Sequence, residues 1–460
     1  MKKSIVYGEG WLEVTLPEGT REASTGLNAR VPPVADIDDA IARALAEPLG
    51  GPPLRERARG ARRVTIAFDD PTVPCFVPVW EKAIDRVLAE LAAAGVAPEQ
   101  VSLLCANALH RKFTARELAG ILGERLVAAF DGRIGCHDAE DPDGLVYLGT
   151  TPSGYDVELN RAVVDSDVLV YVNASAFRGF HGGWKSVCVG LSTWRSIRWH
   201  HTPDRMTMSV DRSAMHQILD EMGALVEERL GPHRVFKIET LLANPMQVGR
   251  VWAGSVGDVR RAAVEAIRAS TPPRRDMMAE KADVVVYGVP AWSPYAAYAR
   301  MNPLLTLLST GLGYLGGVIN ALGKPGCTAV LATPCPDGWD EAHHPSYRET
   351  WERILPACAG DPAGGLRYAD ELAARPEYVD AYRHGNGFHA VHPLMGLFGL
   401  VRLKHAARVI VAGIGDPALA RHAGLDAAGT VEEAVERGLA AAGAGASVAL
   451  VSYPPAYNRQ

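Results

Sequence analysis

The stretch VLVYVNASAFRGFHGGWKSVCVGLSTWRSIRWHH, from Val168 to His201, decides how the rest of the chain reads. Val168 to Val172 is an unbroken apolar run, the composition of a strand buried on both faces. It empties into a loop carrying Gly179, Gly182 and Gly183. Lys185 and Ser186 then open a helix, and His200 and His201 follow a few turns later. A buried strand, a glycine-rich turn and a helix start form one step of an α/β alternation.

The alternation extends in both directions. Arg63 to Phe68 (RVTIAF) is a strand that stops at Asp69-Asp70-Pro71-Thr72, and Val101 to Cys105 is a strand that empties into Asn107-Ala108-Leu109-His110-Arg111. Polar residues at strand ends matter because open α/β sheets bind ligands at the carboxyl edge. Helices are predicted over 36–46, 78–94 and 114–122, the last opened by Thr114 and Glu117 at capping-box spacing. Further on, 208–230 reads as a helix, Arg234 to Leu241 (RVFKIETL) as a strand and 258–269 as a helix. The Pro-rich basic run Ser270-Thr-Pro-Pro-Arg-Arg275 marks a boundary. A second α/β series follows, with strands at 283–289, 327–332, 408–412 and 447–451. The expectation is two α/β domains, 1–270 and 276–460, with mainly parallel sheets flanked by helices. The active site is expected in the cleft between them, the first domain binding a cofactor and the second closing over substrate.

A chain of 460 residues is long for one core, which also favours two domains. A net charge of −6 without a basic block argues against a nucleic-acid partner. The N-terminal MKKSIVYGEGWLEV lacks the apolar core of a signal peptide, and no apolar run reaches the ~18 residues of a membrane span. Seven scattered cysteines without CxxC spacing fit a reduced, cytoplasmic protein lacking a disulfide framework or structural zinc.

Gly182-Gly183-Trp184-Lys185-Ser186 invites a phosphate-loop reading, but Trp184 occupies the place that needs a glycine before the lysine. A single phosphate at the helix start remains compatible with it. His110, at a strand end between Leu109 and Arg111, is either a surface residue or a proton carrier. Asp69 and Asp70 are either a turn pair or ligand-holding groups. Adjacent histidines on a helix point in different directions, so at most one of His200 and His201 should face a given site. His343-His344 and His389 to His392 are further candidates whose spacing suits zinc poorly.

Together these motifs resemble the nickel-pincer lactate racemases and their 2-hydroxyacid racemase and epimerase relatives. Asp70-Pro-Thr72-Val73-Pro74 is similar to the family's Asp-x-Thr-Arg-Pro, and Ala108-Leu109-His110-Arg111 to its Gly-Thr-His-Arg. Gly179-Phe-His-Gly182-Gly183-Trp-Lys185-Ser186 resembles Gly-Phe-x-Gly-Gly-x-Lys-Ser, and His201 falls at the downstream metal-binding histidine. The likeness is strong from about residue 60 to 205 and thin beyond 290. It implies a pyridinium bisthiocarboxylate mononucleotide joined to Lys185 by a thioamide, with nickel held by the cofactor and His201. Asp70, Thr72, Gly182, Gly183 and Ser186 are implied as cofactor-binding. His110 is implied as an acid/base in a hydride-transfer racemisation of a 2-hydroxyacid. The implied partners are that small substrate and the cofactor-synthesis enzymes.

Three departures from the family's pattern stand out. Its second acid/base histidine falls at Ser175, its motif arginine at Val73, and its substrate-binding Gln-x-x-Lys at Arg300-Met-Asn-Pro303. Ser175 and Arg300 are therefore expected to meet a substrate other than lactate. His181, His200 or a histidine of 389–392 could replace the missing base. A one-sided redox or elimination enzyme on the same cofactor, or a non-catalytic cofactor-binding homologue, are the alternatives.

Overall fold

A computed structural model describes residues 1–23, 31–176, 180–206, 210, 213–270 and 280–453. The chain divides into two compact units. One comprises Ala29–Ser270 with Tyr382–Asn386; the other comprises Met1–Asn28, Thr271–Ala381 and Gly387–Gln460. The first 28 residues therefore group with the second half of the chain, unlike the expected 1–270 division. The expected boundary run lies outside the described residues from 271 onward.

The strands in chain order are β1 (Lys2–Tyr7), β2 (Gly10–Thr15), β3 (Arg21–Glu22), β4 (Val64–Asp69), β5 (Val101–Ala106), β6 (Ile134–Cys136), β7 (Leu145–Thr150) and β8 (Asp156–Asn160). They continue with β9 (Val168–Ser175), β10 (Val235–Asn244), β11 (Gln247–Gly254), β12 (Ala282–Gly288), β13 (Gly323–Ala332), β14 (Arg408–Ala412), β15 (Asp426–Ala428) and β16 (Val448–Val451). Both large sheets are mainly parallel and flanked by helices, so the fold is α/β as expected.

In the Ala29–Ser270 unit the sheet order is β11-β10-β9-β4-β5-β6, parallel except for the antiparallel edge strand β11. β4 and β9 are buried along their whole length, which is why both read as continuous apolar runs. From β4 the chain steps outward to β5 and β6, then returns to the other side of β4 as β9 and β10. The strand order thus reverses between β4 and β9, and a crevice opens at such a switch point beyond the strand ends. The core beneath includes Trp80, Ile84 and Val87 of the helix Val79–Ala93 packed against Ile66, Phe68 and Val170.

The Ala115–Leu122 helix has the expected capping box, Thr114 Oγ1 accepting from Glu117 N and Glu117 Oε2 from Thr114 N. Glu117 also holds Arg111, whose Nη2 donates to Oε1 at 2.6 Å and Nη1 to Oε2 at 3.2 Å. Arg111 is fully buried, with its guanidinium over the Phe113 ring. Breaking a buried pair from one side strands the other charge. Arg111→Ala is therefore expected to cost about 3–5 kcal/mol in urea unfolding. Arg111→Met with Glu117→Leu should recover most of that loss.

The other unit holds an all-parallel sheet, β15-β14-β13-β12-β16-β3. The β1–β2 hairpin contributes Ile5, Val14 and Leu16 to its core. The helical stretch Leu304–Leu322 is long and apolar enough to cross a membrane by composition, although no such run was expected; 72% of it is buried inside the unit. Its first eleven residues, Leu304–Tyr314, are wound as a π-helix.

Candidate functional site

The carboxyl ends of β4, β5 and β9 bring the expected residues of the first unit together. Asp69, the last residue of β4, is buried and accepts from Tyr171 Oη at 3.1 Å, Asn173 Nδ2 at 2.9 Å and Ala174 N at 2.6 Å. These bonds stitch β4 to β9. Burial pushes the Asp69 carboxyl up to about 6, against the opposing pull of Lys237 and the Ala174 amide. Asp69 is thus the structural half of the pair.

Asp70 is the half turned toward His110. Its Oδ1 accepts from Thr72 N at 3.2 Å and Thr72 Oγ1 at 2.5 Å, and its Oδ2 lies 2.7 Å from His110 Nδ1. The Asp-x-Thr spacing is explained locally, since the Thr72 amide and hydroxyl lock the carboxylate so that its other oxygen meets the imidazole. His110 is held from its own loop as well: Asn107 Nδ2 donates to the carbonyls of His110 and His137. Its neighbours turn elsewhere, Arg111 to Glu117 and Lys112 to Asp138 at 2.7 Å.

Downstream of β9, Gly179 lies outside the described residues. Gly182 and Gly183 have φ of +88° and +59°, conformations a side chain disfavours. Trp184, the residue at odds with a phosphate loop, packs its indole against Gly223 of the helix Ala214–Leu230, where any Cβ would overlap it. Gly223→Val is expected to displace Trp184 and lower the thermal midpoint by several degrees, for about 1–3 kcal/mol of overpacking.

Lys185 follows, half-buried, its Nζ 4.4 Å from the centre of the Phe180 ring. Burial pulls its amine down to about 8, while Asp69 and Asp70 pull the other way. Ser186 is buried and its Oγ accepts from Lys237 Nζ. Ser175, at the end of β9, is buried with its hydroxyl 3.3 Å from Asn173 Oδ1 and from Glu239 Oε1.

His200 and His201 do not diverge as a helical pair would. The helix ends at Ile197, and in the turn beyond it the two Nδ1 atoms lie 2.7 Å apart. That hydrogen bond needs one proton between two nitrogens. With His201 as donor, the lone pair of its other ring nitrogen, Nε2, can take a metal, and His200 serves as the orienting partner. Among the described residues no cluster of three or more His, Cys, Asp or Glu is arranged to hold a metal by protein ligands alone. A metal here would need ligands from a cofactor.

His200 is driven down to about 3 by burial, with Lys185 and Arg205 adding to the effect. His137, whose Nε2 donates to Ser192 O and whose Nδ1 faces the Asn160 amide, is driven by burial to about 4. A histidine kept neutral in the fold takes up a proton on unfolding once the pH is below its ordinary pKa of about 6.5. Its contribution to stability is complete above that value and falls as the pH drops toward 4. Asp69 acts with the opposite sign, its raised pKa favouring the fold as pH falls from 6 toward 4. Comparison with His137→Gln isolates the histidine: between pH 7 and 5 the wild type should lose about 2 kcal/mol more in urea unfolding.

Arg300 belongs to the other unit, where its side chain is exposed and its amide donates to Asp340 Oδ2 at 3.3 Å. Asn302 is fully buried and caps the following helix through Leu305 N. His389 and His392 lie in that unit also, His392 Nδ1 being 2.5 Å from Tyr347 Oη.

Residues 7–214 match the lactate racemase N-terminal domain. Over this segment the chain is similar to the lactate racemases. It is 30% identical over 168 residues to the lactate racemase of Lactiplantibacillus plantarum, covering 36% of this chain and 38% of that protein. It is also 30% identical over 204 residues to the lactate racemase of Thermoanaerobacterium thermosaccharolyticum, covering 43% and 46%. The matches thus span less than half the length of these relatives. The fold is shared over 98% of both chains with the lactate racemase apoprotein from Thermoanaerobacterium thermosaccharolyticum, at a TM-score of 0.68 and 18% identity. A Thermotoga maritima protein matches over 90% of this chain and 95% of its own at 0.52 and 15%.

Lys237, Glu239 and Arg260, which surround the Lys185 loop from beneath, were not among the residues expected at the site. The available signal was the pair of charges two residues apart in the otherwise apolar RVFKIETL.

Proposed function

We propose that the protein is a racemase or epimerase of a 2-hydroxyacid, using a nickel-pincer nucleotide attached through Lys185. The observation that carries this reading is the Asp70–His110 contact at 2.7 Å, on the same sheet edge as the Lys185 loop. A structural carrier of a cofactor has no use for an oriented imidazole, whereas a dehydrogenation needs one at the hydroxyl.

The donor set fits the group. Lys185 has an amine that burial brings toward its neutral, nucleophilic form. Gly182 and Gly183, at φ of +88° and +59°, form the turn that leads into Lys185. His201 can present Nε2 to nickel while His200 fixes its ring. When bound, such a cofactor supplies a reversible hydride acceptor, chemistry no side chain offers.

The chain's own residues handle the proton. With Asp70 accepting from Nδ1–H, the His110 lone pair sits on Nε2 and takes the substrate hydroxyl proton as the carbonyl forms. Return of that proton from the same imidazole completes the cycle. Ser175 in place of a second imidazole favours a substrate other than lactate. Arg300 is assigned to the substrate anion within the same proposal, and the cofactor-synthesis enzymes are its required partners. Ser175 also supports a second reading, a one-sided redox or elimination reaction, because a hydroxyl is a poor base for the opposite face.

Chiral chromatography of a panel of 2-hydroxyacids and sugar acids, with protein made alongside the cofactor-synthesis enzymes, tests the reaction. Inversion at the carbinol carbon is expected; exchange of its hydrogen without inversion selects the one-sided reading. In the same preparations His201→Ala should lose at least nine-tenths of its nickel by elemental analysis. Full occupancy would remove His201 as a ligand.

A further inference from the structure

β10 carries Lys237 and Glu239 two residues apart, so both project from one face of the sheet. They are 0% and 1% exposed. Charges buried this deeply are costly unless paired and hydrogen-bonded. Their bonds reach the loop that presents Lys185 and the end of β9 before it. Glu239 Oε2 accepts from Gly183 N at 3.1 Å, and Oε1 from the Ser175 hydroxyl at 3.3 Å. Lys237 Nζ donates to Ser186 Oγ, and Arg260 Nη1, from the helix Val256–Ser270, donates to His181 O at 2.7 Å.

Glu239 is the anion common to this group, its charge acting on both Lys237 and Arg260. It also explains the first glycine: a Cβ on Gly182 would overlap the Glu239 carboxylate. The loop backbone is therefore seated on the carboxylate, with residues 181, 183 and 186 each tied to one of the three charges.

We infer that Glu239 is a positioning residue that clamps the 181–186 loop and thereby sets the placement and reactivity of Lys185. The inference rests on the reading of Lys185 as the attachment lysine, but its test needs no cofactor. The groups that face Lys185 are Asp69 and Asp70 from the end of β4, Phe180 and His181 from the loop, His200 from the later turn and Lys237 from β10. Glu239 itself bonds to Gly183 N and the Ser175 hydroxyl. Its effect on the amine runs through the loop backbone it holds, which keeps Lys185 withdrawn from water.

The experiment is reductive methylation of the full-length apoprotein with formaldehyde and cyanoborohydride from pH 6 to 10.5. Modification at Lys185 is read by peptide mass spectrometry. In the wild type the midpoint is expected near 8. In Glu239→Ala the loop is released, and the midpoint should rise by at least one pH unit toward the ordinary lysine value of about 10.4. That is a tenfold loss of free amine at fixed pH below the midpoint. Glu239→Gln keeps an oxygen for Gly183 N and should stay within threefold of the wild type. Gly182→Ala, with the carboxylate present but the seat blocked, should behave like Glu239→Ala. Circular dichroism confirms the fold of each variant; if Glu239→Ala does not fold, Gly182→Ala and Glu239→Gln decide. A wild-type midpoint in folded Glu239→Ala or in Gly182→Ala overturns the clamp. So does a Glu239→Gln midpoint shifted as far as that of Glu239→Ala. If Lys185 shows these shifts yet never gains cofactor mass, the clamp stands and the attachment reading falls.

Discussion

Lys185→Ala, produced beside the cofactor-synthesis enzymes, is expected to run at the intact mass of the bare polypeptide, while the wild type runs heavier by one cofactor. Turnover of the responsive 2-hydroxyacid should fall to the background of the uncatalysed assay. Only the covalent link is being removed. The Lys185 side chain makes a ring contact with Phe180 and is otherwise turned toward the Asp69–Asp70 edge, so stability should change little. Lys185→Arg is the sharper control. It keeps the positive charge and the contact with Phe180, but a guanidinium stays protonated and does not acylate as an amine does. It should therefore lose the added mass as completely as alanine does. A heavy Lys185→Ala protein would mean that the attachment point lies elsewhere, with Lys237 the next amine to examine. A light protein with full turnover would separate catalysis from attachment and end the proposal in its present form.

The strands that place this site were legible because they are buried on both faces. Val64–Asp69 and Val168–Ser175 are too apolar to be anything but central strands once their ends carry turn residues. The capping box at Thr114 was legible for a similar reason, since its chemistry is local. What the pattern missed is non-local. β11 returns antiparallel to β10 after a two-residue turn, and its QVGRVWAG sequence has no clean alternation to announce it. The grouping of β1 to β3 with strands more than 250 residues away depends on pairings such as Ala449 with Arg21. No window of sequence contains both partners. The site shows the same division. Asp70 and Thr72 were joined only by the resemblance to a family motif, and the structure supplies the local reason, the carboxylate being held by its own second neighbour. The joining of His200 to His201 escapes a helical reading, because the periodicity does not extend past Ile197, where the helix has ended. Lys237 and Glu239 were visible as charges in a strand, but their purpose depends on a loop more than fifty residues earlier.

Asp70→Asn is expected to be nearly as damaging to turnover as removing His110, though it deletes no proton-transfer group. The two donors of Thr72 require an acceptor at the Oδ1 position, so the oxygen of the new amide will settle there. That leaves the amide's NH2 group facing His110 Nδ1 across a contact that measures 2.7 Å with the native carboxylate. A donor opposite Nδ1 moves the ring proton to Nε2 and removes the lone pair that accepts the hydroxyl proton. The corresponding tautomer error in a Ser-His-Asp triad costs about 10⁴-fold, and loss of a general base costs about 10²–10⁴-fold. His110→Ala and Asp70→Asn should therefore each lower kcat by about 10²–10⁴ with cofactor mass and nickel content unchanged. Their combination should be little worse than either alone, since both remove one function. Additive losses would mean that Asp70 acts separately from the imidazole, for instance by holding the cofactor, and the cofactor mass of Asp70→Asn would then fall as well. Asp70→Glu supplies the remaining control. It keeps the charge and an acceptor for Nδ1–H but lengthens the arm by one methylene, so it should recover part of the turnover that Asp70→Asn loses; no recovery would mean that His110 requires the acceptor at the position the Thr72 bonds set.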